Sequence, residues 1–206
     1  MARDAERLSR SEQGPIVGGL PDAPGILTAL RLTPGLGLHL RGLADELLVH
    51  DFPGATIRRH DREMLATAVS AANDCFYCMD SHGTFATVLL ERDDQGERAA
   101  VVDHLKTGSV DGVDATMETL LHIARTVARA PLELTPSDVD AALAAGATDA
   151  DVQLAVLIAA AFSMYNRIVD GFRAPTPASI DVYRARAGEI ADHGYREPQA
   201  ALGGER

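Results

Sequence analysis

No tryptophan occurs in the 206-residue chain, and aromatic residues make up only 4% of it. Runs of Val, Ile and Thr of strand length are scarce as well. That shortage argues against a sheet, whose pleated surface favours β-branched and aromatic side chains. Alanine and leucine dominate instead, a composition that favours helices packed closely through small side chains. Only two cysteines are present, too few for the disulfide framework of a small secreted domain. In a reducing cytosol a close pair suits catalysis, redox sensing or metal binding better than structure. Basic residues are in the minority: 19 Lys and Arg against 30 Asp and Glu give a formal net charge of −11. A negative surface repels phosphate backbones and anionic lipid, so neither nucleic acid nor a membrane is expected as a partner. Nor does any block of like charge form an interaction tail. The nearest approach to a long apolar run is VQLAVLIAAAF, Val152 to Phe162, short of the roughly 18 residues a membrane span needs. The charged N-terminal stretch MARDAERLSRSEQGPIVGG lacks the apolar core of a secretory signal. These absences point to a cytoplasmic protein with one sizeable core.

What is there is helical periodicity. PDAPGILTAL suggests a short turn, and Pro34, Gly35 and Gly37 then interrupt the pattern. From Leu38 to His50, Leu40, Leu43, Leu47 and Leu48 recur at helical spacing, before Pro53 and Gly54 stop it. TIRRHDREMLATAVSAAN is the next helix, halted by Asn73 and Asp74; either of these caps a second helix through CFYCMDSHGTFATVLLE. Further helices are expected in AAVVDHLKTG, ATMETLLHIARTVARAP, LTPSDVDAALAAG, TDADVQLAVLIAAAFSMYNRIVDGF and TPASIDVYRARAGEIADHG. Their ends are marked by Gly108, Pro131, Gly146 and Gly171. The expectation is an all-α protein of about seven or eight helices: a mobile N-terminal arm over 1–21, one multi-helix domain over 22–194 and a mobile tail over 195–206. No repeat or low-complexity tract interrupts it.

The chemistry-bearing stretch is NDCFYCMDSHG, Asn73 to Gly83. If Cys75 begins a helix, then Cys75, Cys78 and His82 occupy positions i, i+3 and i+7 along one stripe. The unpaired N–H groups and partial positive charge at a helix start favour thiolate over thiol. A thiolate attacks a peroxide oxygen or a disulfide sulfur, and a neighbouring thiol then displaces the sulfenate and closes a disulfide. Glu63 lies twelve residues before Cys75. A tight turn at Ala71–Asp74 would fold its carboxylate back against Cys75 or His82, as a proton relay.

Glu63, eleven intervening residues, CFYC, three residues and His82 together resemble the pattern of the alkylhydroperoxidase D-like family, within the carboxymuconolactone decarboxylase superfamily. REMLATAVSAANDCFYCMDSHGTFA resembles that family's core hairpin, and AAFSMYNRIVDGF the later helix of its peroxidase-related branch. The likeness spans roughly residues 40–190. It implies an alkylhydroperoxidase D-like helical fold, hydroperoxide as substrate, a homo-oligomer, and Cys78 as the peroxidatic thiol with Cys75 resolving it. Glu63 and His82 would relay protons. A dihydrolipoyl or thioredoxin-like protein would be the dithiol reductant, and no cofactor or metal is implied. One departure is Tyr77, where the best-known peroxidases of the group carry histidine; a phenol titrating near 10 does not replace that base at neutral pH.

Other readings compete. A decarboxylase or lyase-like member of the superfamily would not need a dithiol, and a non-catalytic redox sensor would need no turnover. Zinc would take Cys75, Cys78 and His82, with Glu63 or His60 as a fourth ligand, but structural zinc ordinarily uses two separated ligand pairs. His60 shares a face with Glu63 three residues on. Tyr165, Asn166 and Arg167 interrupt an apolar helix, as a buried polar network or as a pocket wall.

Overall fold

The computed structural model describes residues 14–93, 96–177 and 179–196. Among them are nine α-helices and no strand, above the seven or eight expected. They are α1 (Ile26–Leu30), α2 (Pro34–Leu48), α3 (Arg59–Ala72), α4 (Phe76–Arg92), α5 (Ala99–Thr107), α6 (Ala115–Arg129), α7 (Pro136–Ala144), α8 (Asp149–Phe172) and α9 (Ile180–His193). The expected N-terminal arm falls partly outside these residues; Ile16 and Val17 are described and exposed. The expected tail runs from 195 to 206, of which 197–206 lie outside the described residues. Tyr195 and Arg196 do not behave as tail: both are hydrogen-bonded to the folded domain.

At the centre stands α3, buried at every position from Met64 to Ala71 as well as at His60, Arg62 and Glu63. A helix enclosed this fully needs small residues where neighbours approach, and Ala66, Ala68, Ser70 and Ala71 supply them. Its most extensive partner is α4, joined to it by only Asn73–Cys75, so the two form an antiparallel hairpin. Helices α5, α6 and α8 pack around α3, and α9 lies along α4.

Two helix starts differ from the sequence reading. Helix α2 begins at Pro34, before the expected Leu38. Pro34 is its first residue, where a missing N–H costs nothing, and Thr33 caps it by accepting from the Leu36 N–H at 3.2 Å. Helix α4 begins at Phe76, with Cys75 itself in the cap position rather than Asn73 or Asp74.

Helix α8 is long and apolar enough to cross a membrane, by length and composition alone, a property the shorter window Val152–Phe162 did not reveal. Here it is a core helix, with Leu154, Ile158 and Phe162 fully buried. Its start is pinned by Asp151, which is wholly buried. The carboxylate accepts from the Thr56 and Ile57 N–H groups at 2.7 and 3.0 Å and from the Thr148 N–H at 2.9 Å. The Thr56 and Thr148 hydroxyls add bonds of 2.8 Å each. Burial alone would push this carboxyl up, but the N–H donors of Thr148, Ile57 and Thr56 outweigh it and hold it below the usual range.

Candidate active site

The hairpin turn sets the cysteines. Asp74 adopts the left-handed conformation (φ 56°), which Asp tolerates better than most residues. The Cys75 N–H then donates to the Ser70 carbonyl at 3.0 Å, and the Cys75 carbonyl accepts the first helical bond of α4 from Met79 at 3.0 Å. Cys75 is therefore extended (φ −87°, ψ 94°) rather than helical. The strict helical stripe expected for Cys75, Cys78 and His82 is replaced by a cap residue facing the first turn. The outcome is still close approach: the two cysteines lie 3.3 Å apart as free thiols, 0% and 2% exposed.

The Cys75 thiol is pushed well above its ordinary value, first by its hydrogen bond to the Cys78 sulfur, then by burial and by negative charge on Cys78 and Asp170. For Cys75 this reverses the expectation that a helix start favours thiolate: no ordinary N-terminal stabilisation offsets a neighbouring sulfur and a dry surrounding. The neutral, protonated form of Cys75 is therefore favoured.

Glu63, on the inner face of α3, is 1% exposed. Its Oε2 lies 2.7 Å from His82 Nδ1, one turn beyond Cys78 on α4. Its Oε1 accepts from the Tyr195 hydroxyl at 2.6 Å, and that hydroxyl is 3.4 Å from His82 Nδ1. The tyrosine hydroxyl is pushed well above its ordinary range by burial and then by the Glu63 charge, so it is a donor. The His82 ring is held edge-on against Phe162 and Phe85, with centroids 4.5 and 5.2 Å away, and is stacked on Tyr195 at 6.0 Å.

Tyr195 was missed by sequence reasoning. Three contacts bring it in. The Arg59 guanidinium, at the start of α3, donates to the Ile190 and Ala191 carbonyls at the end of α9, each at 3.0 Å. Gly194 then turns the chain at φ 76°. Buried Asp45 of α2 accepts the Tyr195 and Arg196 N–H groups at 2.6 and 3.0 Å. The sequence signal was slight: one of only four tyrosines, directly after a helix-stopping glycine.

Cys78, His82 and Tyr195 open onto one pocket. Its empty volume, mouth included, is about 550 Å³. Tyr77 is both a core residue and a wall of this pocket; burial pushes its hydroxyl up to about 12, so it supplies no base. Tyr165 also lines the pocket, with its hydroxyl donating to the Leu40 carbonyl at 2.8 Å. Asn166 belongs to a network with Ser70 and Asn73 at 3.0 and 2.9 Å, and Arg167 bonds back to the Ser163 carbonyl. His60 is not brought to the thiols: its ring nitrogens face Asp93 at 3.0 Å and Asp61 at 3.4 Å.

Residues 43–104, which contain all four of Glu63, Cys75, Cys78 and His82, match the carboxymuconolactone decarboxylase family. Among curated proteins none matches the chain significantly. A solved peroxidase-related protein from Ralstonia eutropha JMP134, with an alkylhydroperoxidase AhpD core, is similar over 89% of this chain and 90% of its own, at a TM-score of 0.66 and 23% identity. A second peroxidase-related protein, from Silicibacter sp. TM1040, is similar over 88% of this chain and 93% of its own, at 0.65 and 20%. Residues 43–104 thus match the carboxymuconolactone decarboxylase family, and the described chain has an AhpD-like helical fold.

Proposed function

We propose that the protein is a thiol peroxidase that reduces hydroperoxides through a Cys75–Cys78 dithiol/disulfide cycle. The observation that carries this reading is a pair of thiols 3.3 Å apart, one of which, Cys78, shares a pocket with His82, whose Nδ1 is held by buried Glu63. In the first step Cys78 gives its proton to His82. With Nδ1 engaged by Glu63, Nε2 is the ring nitrogen left to exchange protons with the pocket. The Cys78 sulfur attacks the outer peroxide oxygen, the O–O bond breaks, and the departing alkoxide takes the proton and leaves as the alcohol. Cys78 is now a sulfenic acid. Cys75, which has kept its proton, attacks that sulfur; the S–S bond forms, the S–O bond breaks, and water leaves. The sum is ROOH plus two thiols giving ROH, water and a disulfide. An external dithiol, of the dihydrolipoyl or thioredoxin-like kind, returns the disulfide to thiols, and a reducing cytosol is the compartment that suits it. A second copy of the chain as partner belongs to the same reading.

The test is to mix pre-reduced protein with a hydroperoxide and follow thiols and mass. The wild type is expected to lose two hydrogens and both alkylatable thiols, and to turn over when a dithiol donor is added. Cys78→Ser should not react; Cys75→Ser should react once and retain a sulfenate. If both wild-type thiols stay alkylatable after peroxide, the reading fails; one oxidation per chain without turnover on any dithiol would leave a sensor instead.

A further inference from the structure

The pocket over Cys78 has a charge pattern that the dithiol chemistry does not explain. Among the described residues that line it there is no aspartate or glutamate, although acids outnumber bases in the chain by 30 to 19. Two arginines line it instead, Arg41 from α2 and Arg186 from α9. Arg186 makes no hydrogen bond or ion pair with any described residue. The other arginine of α9, Arg184, is matched: it meets Glu91 at 2.6 Å. The Arg186 charge faces inward far enough to act on Tyr77 and on Tyr195, the two phenols beside Cys78 and Glu63, and it opposes the upward push that burial gives both. Most of the remaining wall is aliphatic or aromatic: Ile26, Leu30, Leu40, Phe85 and Phe162.

A guanidinium with no acceptor among the described residues, beside an apolar wall, can receive a planar anion carried on an apolar body. Glu63 does not compete for that role, since both of its oxygens are engaged by His82 and Tyr195. Resting on the peroxidase reading, we infer that the substrate is an organic hydroperoxide bearing a carboxylate, with its apolar body against α1, α2 and α8 and its carboxylate received by Arg186 and Arg41. Hydrogen peroxide and uncharged alkyl hydroperoxides would reach Cys78 without that hold.

A matched pair isolates the charge: cumene hydroperoxide and its para-carboxylate, each with its product alcohol. Stopped-flow oxidation of the reduced full chain should favour the carboxylate by about tenfold or more, as a charge-assisted hydrogen bond allows. The preference should fade as salt rises. Arg186→Gln should bring the ratio of the two rate constants down toward one, Arg41→Gln should lower it as well, and Arg186→Lys should restore part of it. Calorimetry with the two alcohols reads the same selectivity without any redox step. Equal rates and equal binding in the wild type, or a ratio unchanged in both glutamine variants, would overturn the inference. If the carboxylate alcohol binds selectively but neither hydroperoxide oxidises a thiol, the peroxidase reading falls while the anion site stands.

Discussion

Glu63 is a carboxylate at 1% exposure in a helical core, and such a group persists only where donors face it. Its two oxygens have one partner each, so losing either partner should be felt in both stability and rate. Glu63→Gln and His82→Gln keep approximate size and should each slow thiol oxidation by roughly 10²–10⁴-fold, the span of a positioned acid or base. Tyr195→Phe removes one donor from a buried acceptor and should cost about 1–3 kcal/mol of stability, read as a shift of the urea midpoint. It should slow oxidation less than His82→Gln, because the tyrosine hydroxyl holds its proton. Unchanged oxidation rates in folded Glu63→Gln and His82→Gln would remove the relay. The four residues singled out from the sequence share one hairpin, and their spacing along the chain nearly fixes their spacing in space. Tyr195 has no such link. It lies 113 residues beyond His82 and arrives through Asp45, a residue that reads as the polar face of an amphipathic helix yet is 2% exposed.

Helix starts tell a similar story at the scale of the element. Helices marked by periodicity and by a terminal glycine were legible, as α5 shows: Gly108 closes it at φ 90°. In the sequence pattern Pro34, Gly35 and Gly37 read as breakers, which puts the start of α2 too late. Pro34 is a start signal, and Gly37 is needed inside the helix because a Cβ there would run into the Leu30 carbonyl of α1. Close approach between helices leaves no mark in one segment's pattern. The start of α8 offers a test with a definite pH dependence. Asp151 serves two elements at once, capping α8 and tying down the loop at Thr56–Ile57. Its folded carboxyl titrates below the unfolded value of about 3.9. Stability from this residue is therefore present above about pH 4 and is lost as pH falls through the folded value. Asp151→Asn should destabilise the protein by about 1–3 kcal/mol at neutral pH, with a smaller deficit once acid has protonated the wild-type carboxyl. Urea unfolding at neutral and acid pH measures it; a deficit of the same size at both would mean that the charge contributes nothing.

For the whole molecule, the open question is what faces the outside of α8. The buried side of that helix packs into the core, but Leu157 and Met164 are 45% and 38% exposed, and Ala160 between them is exposed too. Positions 157, 160 and 164 follow one another at helical spacing, so they form a single apolar strip along the surface of the longest helix. The expected occupant is the same strip of a second copy, since a twofold pairing lets one patch serve both partners and Ala160 permits close approach. Opposing this is the charge of −11 on each chain, which repels across any such contact and is screened by salt. Association should therefore strengthen from low to moderate ionic strength, the reverse of an interface held by ion pairs. Sedimentation equilibrium at micromolar concentration across that salt range is the measurement, and a single species of monomer mass throughout sinks the idea. Ala160→Glu sharpens it. The position is exposed in the protomer, so the glutamate can be solvated and helix content should be retained. In a paired state the same carboxylate would be buried without a partner, at a cost of several kcal/mol. The variant should be a folded monomer at concentrations where the wild type is assembled. An assembly unaffected by Ala160→Glu would place the contact on another face, such as the exposed leucines 36, 38 and 43 of α2.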